Sequence, residues 1–283
     1  KMEALTKNHS YTFTIFGGTG DLTYRKLLPA LYNLFVSKQL LAFQIVIIGR
    51  RNYQHDEYCE IANGWIRQFV RLPYNDDSFR EFCEHLYYYQ MDFTQEAAYT
   101  DLHAFYSAHN MHEHIFYFAV APRFFELIAK GLTHVPDARQ GRVVIEKPFG
   151  KDLASARELN AQLEAFFAPD QIYHIDHYLG KEMVRNIQTI RFMNPIFANI
   201  WNHDYIENIQ ISAMEEVGVE TRGSYYDQSG ALKDMVQNHL FQILSIVAME
   251  PMRDNSREEM HRCQLDALKH LRKVSALKLE DTL

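Results

Sequence analysis

The feature that most constrains this chain is a glycine-rich turn, Gly17-Gly18-Thr19-Gly20-Asp21-Leu22, directly behind an apolar run at 11–16 (YTFTIF). The run reads as a buried strand. Beyond the turn, Leu27, Leu28, Leu31, Leu34 and Phe35 mark one side of a helix. Strand, glycine turn and helix in succession open a βαβ unit. Glycine lets the backbone turn tightly and approach a pyrophosphate, while the helix N-terminus supplies N–H donors and a positive dipole end. The spacing here is G-x-x-G-D-L, and such a turn alone also serves as an ordinary strand-to-helix connection. Pro29 falls inside the helical pattern and predicts a kink or local break.

The second strand sharpens the reading. It spans Phe43 to Ile48, ends at Gly49 and is followed by Arg50 and Arg51. NAD sites usually carry an acidic residue there for the ribose hydroxyls, whereas a guanidinium suits a 2′-phosphate. NADP is therefore the expected coenzyme, with NAD as a secondary one and Lys26 as a further contact. The competing account is two solvated loop arginines. Further strands are expected at Leu86 to Met91, His114 to Val120, Arg142 to Ile145 and Ile172 to Ile175, with helices between. The clearest helix covers 152–167, capped by Asp152 and striped by Leu153, Ala156, Leu159, Leu163 and Phe166. Strands alternating with helices imply an α/β fold, a parallel sheet covered on both faces.

After about residue 176 the organisation changes. A helix at 180–192 leads through Asn194-Pro195 to an alternating stretch, Tyr205 to Ala213. A Gly-bearing loop at 218–230 and a long helix at about 231–249 follow, closed by Pro251. Ser256 and Glu259 form a capping box for a last helix. The 283 residues thus divide into expected domains 1–175 and 176–283.

Composition excludes several classes. With 47% apolar and 23% charged residues the chain is ordinary globular material, and its net charge of −7 contains no basic block. Nucleic acid or an anionic membrane would require a positive face, so neither is an expected partner. Cys59, Cys83 and Cys263 show no paired spacing, which argues against a disulfide framework or zinc site and for a reducing compartment. Residues 1–10 lack a signal-peptide stretch, and 43–48 is too short to span a bilayer. A cytoplasmic location is expected.

Two further constellations carry chemistry. In YHIDHYLGKE (173–182), His177, Tyr178 and Lys181 gather at a helix start and together suit an anion. A salt-bridged surface turn is the plain alternative; a His174–His177 metal pair lacks a third ligand at a supporting spacing, so no metal is expected. In GALKDMVQNHLFQIL (230–244), His239 shares a stripe with Met235, Val236, Leu240 and Ile243. Asp234 and Asn238 make a polar notch beside it. A lone histidine there would be a core residue; one beside a carboxylate is a general base, and Asp176 is a candidate to orient it.

Together the motifs resemble the glucose-6-phosphate dehydrogenase family. The resemblance rests on GGTGDL with Arg25-Lys26, VAPRFF (120–125), EKPFG (146–150), IDHYLGKE (175–182) and GALKDMVQNH (230–239). It implies a Rossmann-type doubly wound domain that binds NADP, followed by the beginning of an α+β substrate domain with a large, mainly antiparallel sheet. His239 would take the C1 hydroxyl proton of glucose 6-phosphate while hydride passes to the coenzyme, giving 6-phosphogluconolactone. Asp176 would orient His239. His177, Tyr178 and Lys181 would hold the phosphate, and Glu215 and Asp234 the sugar hydroxyls. Lys147 would reach both sugar and coenzyme, next to a cis Pro148. Gly17, Gly18, Thr19, Gly20, Asp21 and Leu22 would line the pyrophosphate, with Arg50 or Arg51 on the 2′-phosphate.

Three departures stand out: His174 replaces a more usual arginine, IGRRN looks shorter than the common form, and family members continue far beyond Leu283. The resemblance therefore implies a truncated second domain, and a homodimer or homotetramer for the full-length form. The alternatives are another Rossmann-fold sugar oxidoreductase, needing no phosphate site, or a non-catalytic NADP-binding remnant.

Overall fold

The structure, a computed structural model, describes residues 10–150, 152–214, 218 and 223–272. Two compact units emerge, Lys1–Ile175 and Asp176–Leu283. The first is built on six parallel strands: β1 (Tyr11–Phe16), β2 (Phe43–Gly49), β3 (Leu86–Gln90), β4 (His114–Phe118), β5 (Arg142–Glu146) and β6 (Ile172–Ile175). Their order is β3-β2-β1-β4-β5-β6, so the chain reverses direction across the sheet beside β1. That switch point, at the carboxyl ends of β1 and β4, is where open parallel sheets leave a ligand crevice.

The strands were legible because they are buried on both faces, as parallel strands are. Ile15, Ile45 and Ile47 enter one apolar cluster, and Phe16, Val46 and Ile48 the other. Helices α1 (Leu28–Val36), α2 (His55–Phe69) and α3 (Asp76–Glu84) follow β1 and β2. Helices α4 (Ala98–Ala108), α5 (Phe125–Leu132) and α6 (Leu153–Glu164) come between the later strands. The Asp152 side chain caps α6 by accepting from the Ser155 amide at 2.8 Å, but Leu153, expected on the buried stripe, is 66% exposed. The break expected at Pro29 takes a specific form. The helical run that begins at Asp21 passes through a π-helical turn, Thr23–Leu27, and Pro29 stands just behind that turn, so the irregularity is a change of helical register ahead of the proline.

The cysteine expectation is overturned. Cys59 and Cys83 form a disulfide between α2 and α3, with Cα atoms 6.2 Å apart. Twenty-four residues separate them, and only the return of the chain between β2 and β3 brings them together. Spacing therefore gave no sign of the bond, and the cysteine argument for a reducing compartment falls. Cys263 is a buried free thiol.

His114 on β4 is 2% exposed, stacked on Phe116 with the Tyr106 ring tilted against it, and neither ring nitrogen has a hydrogen-bond partner among the described residues. Burial pushes its pKa down from 6.5 to about 4. The unfolded chain thus binds the proton more tightly, and the neutral ring's contribution, full above about pH 6.5, is lost as pH falls through about 4. A difference of that size corresponds to about 3 kcal/mol. Denaturant unfolding across that range should show the slope, and His114→Phe, which keeps the stacking, should remove most of it. An unchanged slope would place the acid sensitivity elsewhere.

The second unit departs further from expectation. Helix α7 (Glu182–Met193) and short α8 (Pro195–Ile200) follow the HYLGK turn. Residues 206–214 then run without strand pairing and mostly exposed. An alternating sequence becomes a strand only when a neighbour takes up its backbone hydrogen bonds, and no described residue does so. The expected antiparallel sheet is accordingly not among the described elements. Part of the expected 218–230 loop is helical: α9 (Gly223–Ala231) is interrupted at Gly230, whose φ of 64° and ψ of 173° are not helical. The expected long helix is a π-helical segment, Leu232–Leu240, continued by α10 (Phe241–Ala248). Finally α11 (Arg257–Lys269) starts at Ser256, whose hydroxyl accepts from the Glu259 amide; Glu259 itself turns to Arg253 and Arg262 instead of completing the box. Among the described residues, no helix is long and apolar enough to cross a membrane.

Candidate active site

In the first unit the glycine turn lies at the end of β1. Gly17 has φ +93°, and a Cβ there would stand 2.3 Å from the Ala119 carbonyl oxygen. Only glycine fits. Gly18 is buried against β2, where a Cβ would meet Ile47 at 2.0 Å, so it serves strand packing. The Thr23 hydroxyl and the Gly20 amide both donate to the Gly17 carbonyl at 3.0 Å and fix the turn. Asp21 is exposed and paired with Arg25 at 2.8 Å, while Leu22 packs on the core.

A cleft of about 280 Å³ opens beside this turn, lined by Gly17, Thr19, Gly20, Gly49, Arg50, Asp92 and Thr94, among others. Of the two arginines, Arg50 lines it. Arg51 instead donates to the Tyr53 hydroxyl at 3.0 Å, and its carbonyl accepts from Tyr88 at 2.7 Å. The residue types fit a dinucleotide: backbone amides and a helix start for phosphates, a guanidinium for a 2′-phosphate.

Sequence reasoning missed the supports of this cleft. The Tyr58 hydroxyl, buried in α2, donates to the Gly18 carbonyl at 2.8 Å, and its ring stacks on Tyr88 at 4.7 Å. Asp92 accepts from the Thr94 amide and hydroxyl at 3.0 and 2.7 Å; those bonds, with Arg50 adding a smaller share, hold its pKa below the usual carboxylate range. The aromatic run at 87–89 was the one available signal, and it read merely as strand. At the end of β5, Glu146 accepts a hydrogen bond from Tyr117. Lys147 follows, half-buried, and the Lys147–Pro148 peptide is cis, as the resemblance implied.

In the second unit the chemistry concentrates around His239. Its ring is 1% exposed, and Nδ1 lies 2.7 Å from Asp176 Oδ1. A carboxylate can only accept, so Nδ1 carries the hydrogen and donates it, which leaves the Nε2 lone pair to take a proton. Asp176 Oδ1 also accepts from the Tyr178 amide at 2.9 Å, so the carboxylate is held by two donors. The Tyr178 ring stacks on His239 at 4.0 Å, the His177 ring meets it edge-on at 4.5 Å, and the Lys181 ammonium stands 3.5 Å from the Tyr178 centroid.

The π-helical segment places His239 and a second acid on the same buried side. Asp234 precedes it by five residues, which in an α-helix is about 140° of rotation; i→i+5 hydrogen bonding closes that gap. Both are buried. Asn238, expected in the polar notch, donates to the Lys233 carbonyl at 3.0 Å instead. Of the expected substrate contacts, His177, Tyr178 and Lys181 come together with Asp176 and His239. His174 is exposed, with its ring edge-on to Phe149. Glu215 lies outside the described residues. Asp176, His177 and His239 each offer a donor atom within 4.8 Å of one another, while His174 is not part of that group.

The strand order and the glycine turn at the switch point define a dinucleotide-binding protein of the Rossmann class, here joined to a unit carrying a histidine–aspartate pair. Two family profiles match almost end to end: glucose-6-phosphate dehydrogenase, NAD binding domain, over residues 14–186, and the C-terminal domain of the same enzyme over 188–283. The chain belongs to the glucose-6-phosphate dehydrogenase family. It is 42% identical over 275 residues to glucose-6-phosphate 1-dehydrogenase of Bacillus subtilis, covering 92% of this chain and 54% of that protein. The Rhizobium meliloti enzyme is 38% identical over 273 residues, covering 95% and 56%. A crystal structure of glucose-6-phosphate 1-dehydrogenase from Mycobacterium avium superposes with a TM-score of 0.83 at 34% identity, covering 92% of this chain and 57% of that one. A glucose-6-phosphate dehydrogenase in complex with its substrate gives 0.83 at 32%, covering 92% and 56%. The chain thus spans about half the length of the curated relatives it matches.

Proposed function

We propose that this chain carries the coenzyme site and the proton-abstracting base of an NADP-dependent oxidation of glucose 6-phosphate at C1. The observation that carries the reading is the buried Asp176–His239 pair with His177, Tyr178 and Lys181 around it. His239 Nε2 accepts the C1 hydroxyl proton, and C1 gives up hydride as its carbonyl forms, yielding 6-phosphogluconolactone. The nicotinamide, when bound, accepts that hydride. Asp176 keeps the ring in the tautomer that can accept and stabilises the imidazolium. His177, Tyr178 and Lys181 hold the phosphate, Asp234 and Glu215 the sugar hydroxyls, and Lys147 serves sugar and coenzyme. Arg50 takes the 2′-phosphate and favours NADP over NAD, while Gly17, Gly18, Thr19, Gly20, Asp21 and Leu22 shape the pyrophosphate turn.

A homodimer or homotetramer of the full-length form belongs to the same reading. So does a cytoplasmic location, without support from the cysteines.

Calorimetry tests the phosphate assignment. Glucose 6-phosphate should bind and unphosphorylated glucose should not. Lys181→Ala should weaken the sugar phosphate by about 10- to 100-fold, the worth of a charge-assisted hydrogen bond, and leave NADP unaffected. A loss confined to NADP would move Lys181 to the coenzyme.

A further inference from the structure

We infer that Asp176, His177 and His239 form a binding site for a zinc-class divalent cation, which occupies the base and blocks it. Each offers one donor atom, and the three atoms lie within 4.8 Å of one another. Two imidazole nitrogens and one carboxylate oxygen, with a fourth position left to water, are the donor set of open zinc sites. Zinc bonds of about 2.0–2.2 Å in tetrahedral geometry need donors roughly 3.4 Å apart, so the cluster must close by about an ångström.

The structure allows that closure. Asp176 and His239 are already in contact at 2.7 Å, and His177 is exposed on the turn ahead of α7. The His177 ring has to swing, towards a neighbour whose centroid is 4.5 Å away, and the Asp176–His239 contact has to open by about 0.7 Å to reach the tetrahedral spacing. Both partners of that contact stay close to the site: Asp176 through the Tyr178 amide and His239 through its stack on Tyr178. Hard cations such as Mg²⁺ prefer all-oxygen shells and are poor competitors here.

Binding has a direct chemical consequence. A metal on either nitrogen of His239 prevents the ring from both donating to Asp176 and accepting a proton from a sugar hydroxyl. That consequence rests on His239 being the base; metal binding itself does not.

The test is a titration of the 283-residue chain with Co²⁺, followed by its visible absorption, then displacement with Zn²⁺. One equivalent should bind, and Mg²⁺ should not displace it. His177→Asn should weaken Co²⁺ and Zn²⁺ at least tenfold with an unchanged thermal transition. His203→Asn, which removes a histidine 94% exposed, should change nothing and controls for adventitious surface binding. Zn²⁺ should also suppress NADPH formation, with recovery on adding a chelator. Absence of a Co²⁺ spectrum, or affinity unchanged in His177→Asn, overturns the site even where NADPH forms normally. Metal binding with no NADPH formation in metal-free buffer would instead sink the proposed function and leave the metal site standing.

Discussion

Replacing His239 by asparagine should lower turnover of glucose 6-phosphate about 100- to 10,000-fold, the usual worth of a positioned general base. Asparagine is close in size to the ring portion that meets Asp176 and can still donate one hydrogen bond, so the buried carboxylate keeps a partner. It cannot accept a proton near neutral pH. Binding of the sugar phosphate should therefore change little while the rate collapses. Asp176→Asn should also slow the reaction, because the amide carries no charge to stabilise the imidazolium and its NH2 can donate to Nδ1, which favours the wrong tautomer. Steady-state kinetics with calorimetric binding on the same samples separates the two effects. A His239→Asn enzyme retaining most of its turnover would remove His239 from the chemistry.

The second large effect is at Gly17. Gly17→Ala puts a methyl group 2.3 Å from the Ala119 carbonyl oxygen at a backbone φ of +93°, which side-chain-bearing residues rarely adopt. Strain and clash together should cost the first unit roughly 2–4 kcal/mol, and NADP affinity should fall at least tenfold because the turn must move. The contrast is Gly64, in the interior of α2, where an added Cβ meets nothing within 4 Å. Gly64→Ala should raise stability by about 0.5–1 kcal/mol. Chemical denaturation of the two variants with fluorescence-monitored NADP binding checks both. Equal effects at the two positions would contradict the role given to the turn.

What the sequence disclosed and what it concealed follow a physical pattern. β1 and β2 were readable because strands buried on both faces need unbroken apolar runs, and the glycine turn because few residues other than glycine adopt φ +93° there. The stretch 205–213 shows the reverse. Its alternation is a real strand pattern, yet pairing depends on a neighbour that no described residue provides. α-Helical spacing puts Asp234 and Asn238 together in a polar notch beside His239; the π-helical segment keeps Asp234 buried with the histidine and sends Asn238 to a backbone carbonyl. Contacts between distant segments were the least visible. Asp176 and His239 are 63 residues apart, Tyr58 and Gly18 are 40 apart, and nothing in either local pattern demands the meeting. Cys59 and Cys83 concealed a disulfide for the same reason. Composition could not rank Arg50 against Arg51 either, since it is the hydroxyl of Tyr53 that draws Arg51 aside.

The most direct measurement follows NADPH appearance when this chain is given NADP with either glucose 6-phosphate or unphosphorylated glucose. Reduction with the phosphorylated sugar and little with glucose is the predicted result, since the phosphate fixes C1 against the imidazole. Equal rates with the two sugars, or NADP that binds and is never reduced, would contradict it.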